Sequence, residues 1–204
     1  KGQVQFAQLH GLKIATIADL IAYRRRYDNF IHRAIETELD SEFGGDFKMM
    51  VYLNTVEYAE HIALVKGDLS GPDPVLVRVH AINVFDDILG ATGPRSDVLK
   101  DSMRIIAEEG RGVIVLIRDT TATVVSDMLL RKGEGGEQGM PRRLREYGVG
   151  AQILLDLGIH DMVLLSDTDR SIVGLEGYGL RVVGQRPLSK AGASAKPRSK
   201  ETTS

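Results

Sequence analysis

Cysteine is absent from all 204 residues. That excludes a disulfide framework and any metal centre built on thiolates. Tryptophan is absent too, and aromatic residues make up only 5%. Neither sign of charge dominates. The formal net charge of -2 gives no reason to expect nucleic acid or a membrane surface as a partner. No apolar run reaches the roughly 20 residues of a membrane-spanning helix. Residues 1–10 lack the apolar core and small-residue cleavage site of a secretory signal. There is no Gly-x-Ser-x-Gly nucleophile elbow, and the five histidines are scattered. The expected compartment is the cytoplasm. What is present is 43% hydrophobic residues, ample for one core, with the length of one domain plus an appendage. The chain starts at Lys1 without a methionine and is read as a piece of something longer.

Hydrophobic periodicity supplies the elements. Leu12-Lys13-Ile14 is short and alternating, and a helix is expected over residues 16–26. That helix ends in Arg24-Arg25-Arg26, where cations suit the negative dipole end. Residues 29–42 read as a linker or a short second helix. Residues 47–53, 60–65 and 74–80 read as strands, the first two forming a meander. Residues 96–110 have helical spacing, with Gly112 expected to close the helix. Val113-Ile114-Val115-Leu116-Ile117 is the continuous β-branched run of a strand buried on both faces. Helices are expected over 123–130, 144–157 and 171–178, and strands over 162–165 and 180–183. Residues 132–139 are too rich in glycine to continue regular structure. Residues 189–204 have no apolar period and read as a mobile tail. Helix–strand alternation argues for an α/β fold with part of the sheet parallel.

The simplest motifs are weak. Gly133-x-Gly135-Gly136-x-x-Gly139 follows no strand, carries Glu134 and Glu137, and lacks the Gly-Lys-Ser/Thr ending of a phosphate loop. Glu57-x-x-Glu60-His61 straddles a turn rather than one helix face. The basic run at 24–26 and the lysines between 190 and 200 lack the aromatic interleaving of a nucleic-acid surface.

Longer segments carry more. They are His61-Ile62-Ala63-Leu64-Val65-Lys66-Gly67-Asp68, Pro74 to His80, Ile106-Ala107-Glu108-Glu109-Gly110-Arg111-Gly112-Val113, Arg145-Glu146-Tyr147-Gly148-Val149-Gly150-Ala151-Gln152-Ile153-Leu154, and Gly174-Leu175-Glu176-Gly177-Tyr178-Gly179-Leu180. In this order, from about Phe43 to Leu188, the chain resembles GTP cyclohydrolase II, which opens the imidazole ring of GTP in riboflavin biosynthesis. His10-Gly11-Leu12-Lys13-Ile14 and the helix after it resemble the end of 3,4-dihydroxy-2-butanone 4-phosphate synthase, a family often fused upstream. The resemblance implies four parts. Residues 1–28 are the tail of the synthase domain, 29–42 a linker, 43–188 the cyclohydrolase-like domain and 189–204 a disordered tail. The fold expected is a layered α/β fold with a mixed sheet, preceded by a linker helix.

The same resemblance exposes what has been lost. In the family, zinc is held by a cysteine three positions after Arg-Val-His and by a later Cys-x-Cys pair; it activates water. Those positions are Asn83, Pro94 and Ser96 here. His80, Asp86 and Asp87 suggest a replacement hard-metal site, but adjacent aspartates on an extended chain point apart, and turn or cap roles are the better reading. The family continues from the arginine at Arg118 into Gln-Glu-Gly-Arg-Gly-Ile-Gly-Leu; here Asp119-Thr120-Thr121-Ala122-Thr123-Val124-Val125-Ser126 follows. A catalytic tyrosine falls near Gly133, an acidic position is Arg143, and a phosphate-facing lysine is Ser171. Asp167 and Asp169 add negative charge where triphosphate would lie. Arg145, placed as the nucleophile in the family, survives without its company.

The expectation is therefore a zinc-less domain with no catalytic residue and no cofactor. It would be a structural, dimerising or regulatory module of a fused synthase, working as a homodimer, with no nucleic-acid or membrane partner. The alternative is a pocket for a phosphorylated metabolite, such as GTP or a flavin. Its candidate phosphate contacts are Arg78, Arg118 and Arg145, with Arg142 and Arg143 nearby.

Overall fold

The structure, a computed structural model, describes residues 6–7, 9–14, 23, 28–93, 95–134, 140–167 and 178–188, with side chains described outside 131–146. The chain divides into two units, residues 1–30 and 31–204. In the first, a helical turn closes with His10 N on Phe6 O and Leu12 N on Ala7 O. Gly11 supplies the left-handed φ of 61° that ends it. Residues 12–14 form no strand. The helix expected over 16–26 lies outside the described residues except for Tyr23, which is helical.

The second unit is built on one seven-stranded sheet. Its strands are β1 (Ile31–Ser41), β2 (Gly45–Asn54), β3 (Ala59–Lys66), β4 (Val75–Ala81), β5 (Gly112–Ile117), β6 (Asp161–Leu165) and β7 (Arg181–Arg186). Their order is β1-β2-β3-β5-β4-β6-β7. The β1, β2, β3 and β5 neighbours pair antiparallel; β5, β4, β6 and β7 pair parallel. Among the described residues of this unit, the α-helices are α1 (Val98–Glu109), α2 (Val124–Glu134) and α3 (Met140–Asp156). The expected α/β class and mixed sheet are what the structure has. Among the described residues no helix is long and apolar enough to cross a membrane.

One expectation fails. Residues 29–42 are no linker, because β1 occupies them. Glu, Ala and Leu there suggest helix or loop, and the register against β2 shifts between Arg33 and Ile35, so no single alternation marks the strand. The partner strand β2 supplies the hydrogen bonds that local propensity does not. Charges at Glu36, Glu38 and Asp40 suit an edge strand, since they discourage pairing with another chain. The glycine-rich segment is also shorter than expected, because α2 runs on through Glu134.

The sheet is covered on both faces. Val149, Ala151, Ile153 and Leu154 of α3 pack in one core with Tyr52, Ala63, Val77, Val113 and Val115. Met103, Ile105 and Ile106 of α1 pack in the other with Phe47, Leu64, Leu76, Ile114 and Leu165. Every residue of β5 is buried, as its unbroken apolar run requires. α1 stops at Gly110, whose φ of 73° lets its amide reach Ile106 O and Ala107 O.

Candidate functional site

The connections choose the site. From β4 the chain leaves through α1, which packs on one face. From β5 it leaves through α2 and α3, and α3 packs on the other face. Adjacent parallel strands whose exits diverge leave a crevice at their carboxyl ends, where open α/β sheets bind ligands. β4 carries Arg78 and His80 toward that end, and β5 delivers Arg118. Ala81 sits opposite Ile117, and Ile82 N bonds Ile117 O, so Asn83 and Arg118 leave the sheet side by side.

The loop after β4 folds back on the strand. Asn83 is the cap of a five-residue π-helical turn, Val84–Ile88, and its Oδ1 accepts from Phe85 N. Its Nδ2 donates to Asp86 Oδ2 at 2.7 Å. Asp87 turns the other way. Its carboxylate meets His80 Nε2 at 2.9 and 3.0 Å and accepts from Asn83 N at 2.7 Å. Both side chains are almost wholly buried, 3% exposed for His80 and 5% for Asp87. Burial by itself would raise the Asp87 pKa; the bonds from His80 and the Asn83 amide outweigh it and hold the group below the usual carboxylate range.

Arg78 is the other polar group on β4, midway along the strand. Its Nη1 donates to Leu165 O at 3.0 Å, and its Nε is buried without a hydrogen-bond partner. Burial and the Arg95 charge push its pKa down, against the pull of Asp167, Asp87 and Tyr147. Arg118 is exposed, and its amide donates to Nδ1 of the buried His61 at 3.2 Å. Burial, helped by the Arg118 charge, lowers the His61 pKa to about 4. Arg142, Arg143 and Arg145 lie in α3, and their side chains are outside the described residues, as are Pro94, Asp169 and Ser171.

The donor chemistry does not fit zinc. Asn83 spends its amide oxygen and nitrogen on the turn. Ser96 Oγ donates to Gly93 O at 2.7 Å, and neither residue offers a thiolate. Asp86 and Asp87 diverge as expected, Asp86 toward Asn83 and, at 3.8 Å, toward Arg95. Among the described residues, no group of three or more His, Asp or Glu side chains is placed to hold a metal ion. Asp119, where the family's glutamine-glutamate segment begins, accepts from both the amide and the hydroxyl of Thr121. Asp167 accepts from Leu188 N.

Sequence reasoning grouped His80 with Asp86 and Asp87 only as a metal site that it set aside, and it did not pair His61 with Arg118. The seven-residue return from His80 to Asp87 has no periodic signature, and His61 meets Arg118 across two strands. It also missed Arg95, whose charge matters only because the loop folds back.

Taken together, the architecture is that of an α/β domain with its ligand end at the β4–β5 divergence. The GTP cyclohydrolase II family model matches residues 32–187, and the chain belongs to that family. It is 39% identical over 200 residues to the riboflavin biosynthesis protein RibBA of Bacillus cytotoxicus, covering 91% of this chain and 49% of that protein. It is 38% identical to RibBA of Mycobacterium marinum, covering 90% and 47%. The chain thus spans about half the length of these curated relatives. Among solved structures it is similar to RibBX, a two-domain 3,4-dihydroxy-2-butanone 4-phosphate synthase from A. baumannii. The TM-score is 0.55 and the identity 31%, over 84% of this chain and 45% of that one. The family expected from the motifs stands.

Proposed function

We propose that this chain is a cyclohydrolase-fold domain without GTP ring-opening activity, a structural, dimerising or regulatory module for a fused 3,4-dihydroxy-2-butanone 4-phosphate synthase. One observation carries the reading: Asn83, at the first expected zinc position, is consumed as the cap of a turn whose Asp87 is locked to His80. A thiolate there would have to displace the cap. The altered residues around Arg118 and Ser171 agree with it, and so does the likeness to a two-domain synthase. Under this reading residues 1–28 are the end of the synthase domain, and the working unit is a homodimer in the cytoplasm. The test is zinc content together with GTP turnover of the purified chain. Stoichiometric zinc with a ring-opened product refutes it. In the parent protein, deleting residues 31–204, the whole second unit, should alter the oligomeric state, stability or synthase rate; no change in any of the three removes the module role.

A second reading has its own support in the buried, unpartnered Arg78 Nε and in Arg118, exposed just past the end of β5. These are cations at the ligand end, suited to a phosphorylated metabolite. Calorimetry with GTP, ribulose 5-phosphate and flavin mononucleotide decides it, and silence from all three ends it.

A further inference from the structure

The end of β4 holds its own anion. We propose that the Asp87 carboxylate is an internal ligand that fills the anion position formed by His80 and the Asn83 amide, and so shuts this subsite to phosphate groups from solution.

The contacts are those of a bound oxyanion. One oxygen of Asp87 meets His80 Nε2, and the other meets both His80 Nε2 and Asn83 N, all at 2.7–3.0 Å. The amide belongs to the first residues beyond a β-strand at a point of diverging connections, where backbone N–H groups serve anions. Asp87 is 5% exposed, so an external anion could take these donors only by driving the carboxylate out.

The surrounding charges are matched in the same way. Arg95 faces Asp86, and Arg78 feels both Asp87 and Asp167. Asp167 is pinned by Leu188 N. Arg78 and Arg95 are thus each answered by carboxylates of the chain itself. A tethered ligand on so short a return has an effective concentration on the order of mM or above, so free phosphate competes poorly. Two buried nitrogens keep no partner, His80 Nδ1 and Arg78 Nε.

The inference rests on reading the β4–β5 crevice as the ligand end, but not on the loss of catalysis; zinc content and GTP turnover are decided separately. Its test is a titration of the whole chain with inorganic pyrophosphate, followed through the His80 side-chain nitrogen resonances. In the unaltered chain His80 should not respond. In Asp87→Asn, which keeps an acceptor for His80 but removes the charge, pyrophosphate should bind roughly tenfold more tightly or better, with His80 responding. That gain should vanish in Asp87→Asn with His80→Gln. Asp87→Ser serves in place of Asp87→Asn where the latter does not fold. Saturable movement of His80 in the unaltered chain overturns the proposal. So does a folded Asp87 variant with no gain, or a gain that survives His80→Gln.

Discussion

Replacing Tyr52 by Phe removes one oxygen and should weaken the hold of β2 on α3. The Tyr52 hydroxyl donates to Asp156 Oδ2 at 2.7 Å. The same oxygen receives Arg33 Nε at 3.1 Å and Nη2 at 2.7 Å. Asp156 is the last residue of α3, where a carboxylate faces the negative end of the helix dipole and needs donors. Tyr52 is fully buried, but the Asp156 side chain is 43% exposed, so water replaces part of the loss. A hydrogen bond to a charged group contributes about 1.5–3 kcal/mol, and exposure puts this one near ~1.5 kcal/mol. At this domain size that corresponds to a fall of about 3–6 °C in Tm. The pH limits have opposite signs. The Asp156 pKa is lowered from 3.8: burial opposes this, but the bonds from Tyr52 and Arg33 prevail. Its contribution is present above that value and lost as pH falls through the folded pKa. The Tyr52 pKa is raised above 10.0, first by burial and then by Asp156. Its contribution is present below 10.0 and lost as pH rises beyond. Thermal melts of Tyr52→Phe, Asp156→Asn and the double variant measure the coupling. If Tyr52→Phe costs as much with Asp156→Asn as without it, the hydroxyl does not act through this carboxylate and the reasoning is wrong.

Two further substitutions probe the frame around the site. His61 is 2% exposed and its pKa falls from 6.5 to about 4. Between those values the unfolded chain binds a proton that the folded chain refuses. Stability should therefore fall by roughly 3 kcal/mol as pH drops from 6.5 toward 4. Urea unfolding at several pH values should show that slope, and His61→Gln should flatten it. Gly67→Ala should cost at least ~2 kcal/mol, read as a lower urea midpoint. Gly67 has a φ of 69°, and an added Cβ would lie 2.2 Å from Gly110 O. The variant would also disturb the loop whose carbonyls at Asp68, Leu69, Ser70 and Asp73 are gathered by Arg111.

Much of the frame was legible because it is local. The β-branched run 113–117 and the α1 period each state their own conformation, although the helix stops at Gly110 rather than at the expected Gly112. β1 was not legible: its residues favour helix or loop singly, and only pairing with β2 makes them a strand. The site was legible as a set of vacancies. Asn83 and Ser96 could be named from the family resemblance, but their hydrogen bonds could not.

The sequence by itself determined the class of fold and the absence of thiolates, since both follow from residue type and order along the chain. Only the tertiary structure decided what fills the end of β4. His80, Asn83 and Asp87 meet because the chain reverses in a five-residue turn at a place where the sheet's connections part. Burial there makes an unpaired polar group costly, and the partner that satisfies His80 is chosen by distance in space rather than by spacing in sequence.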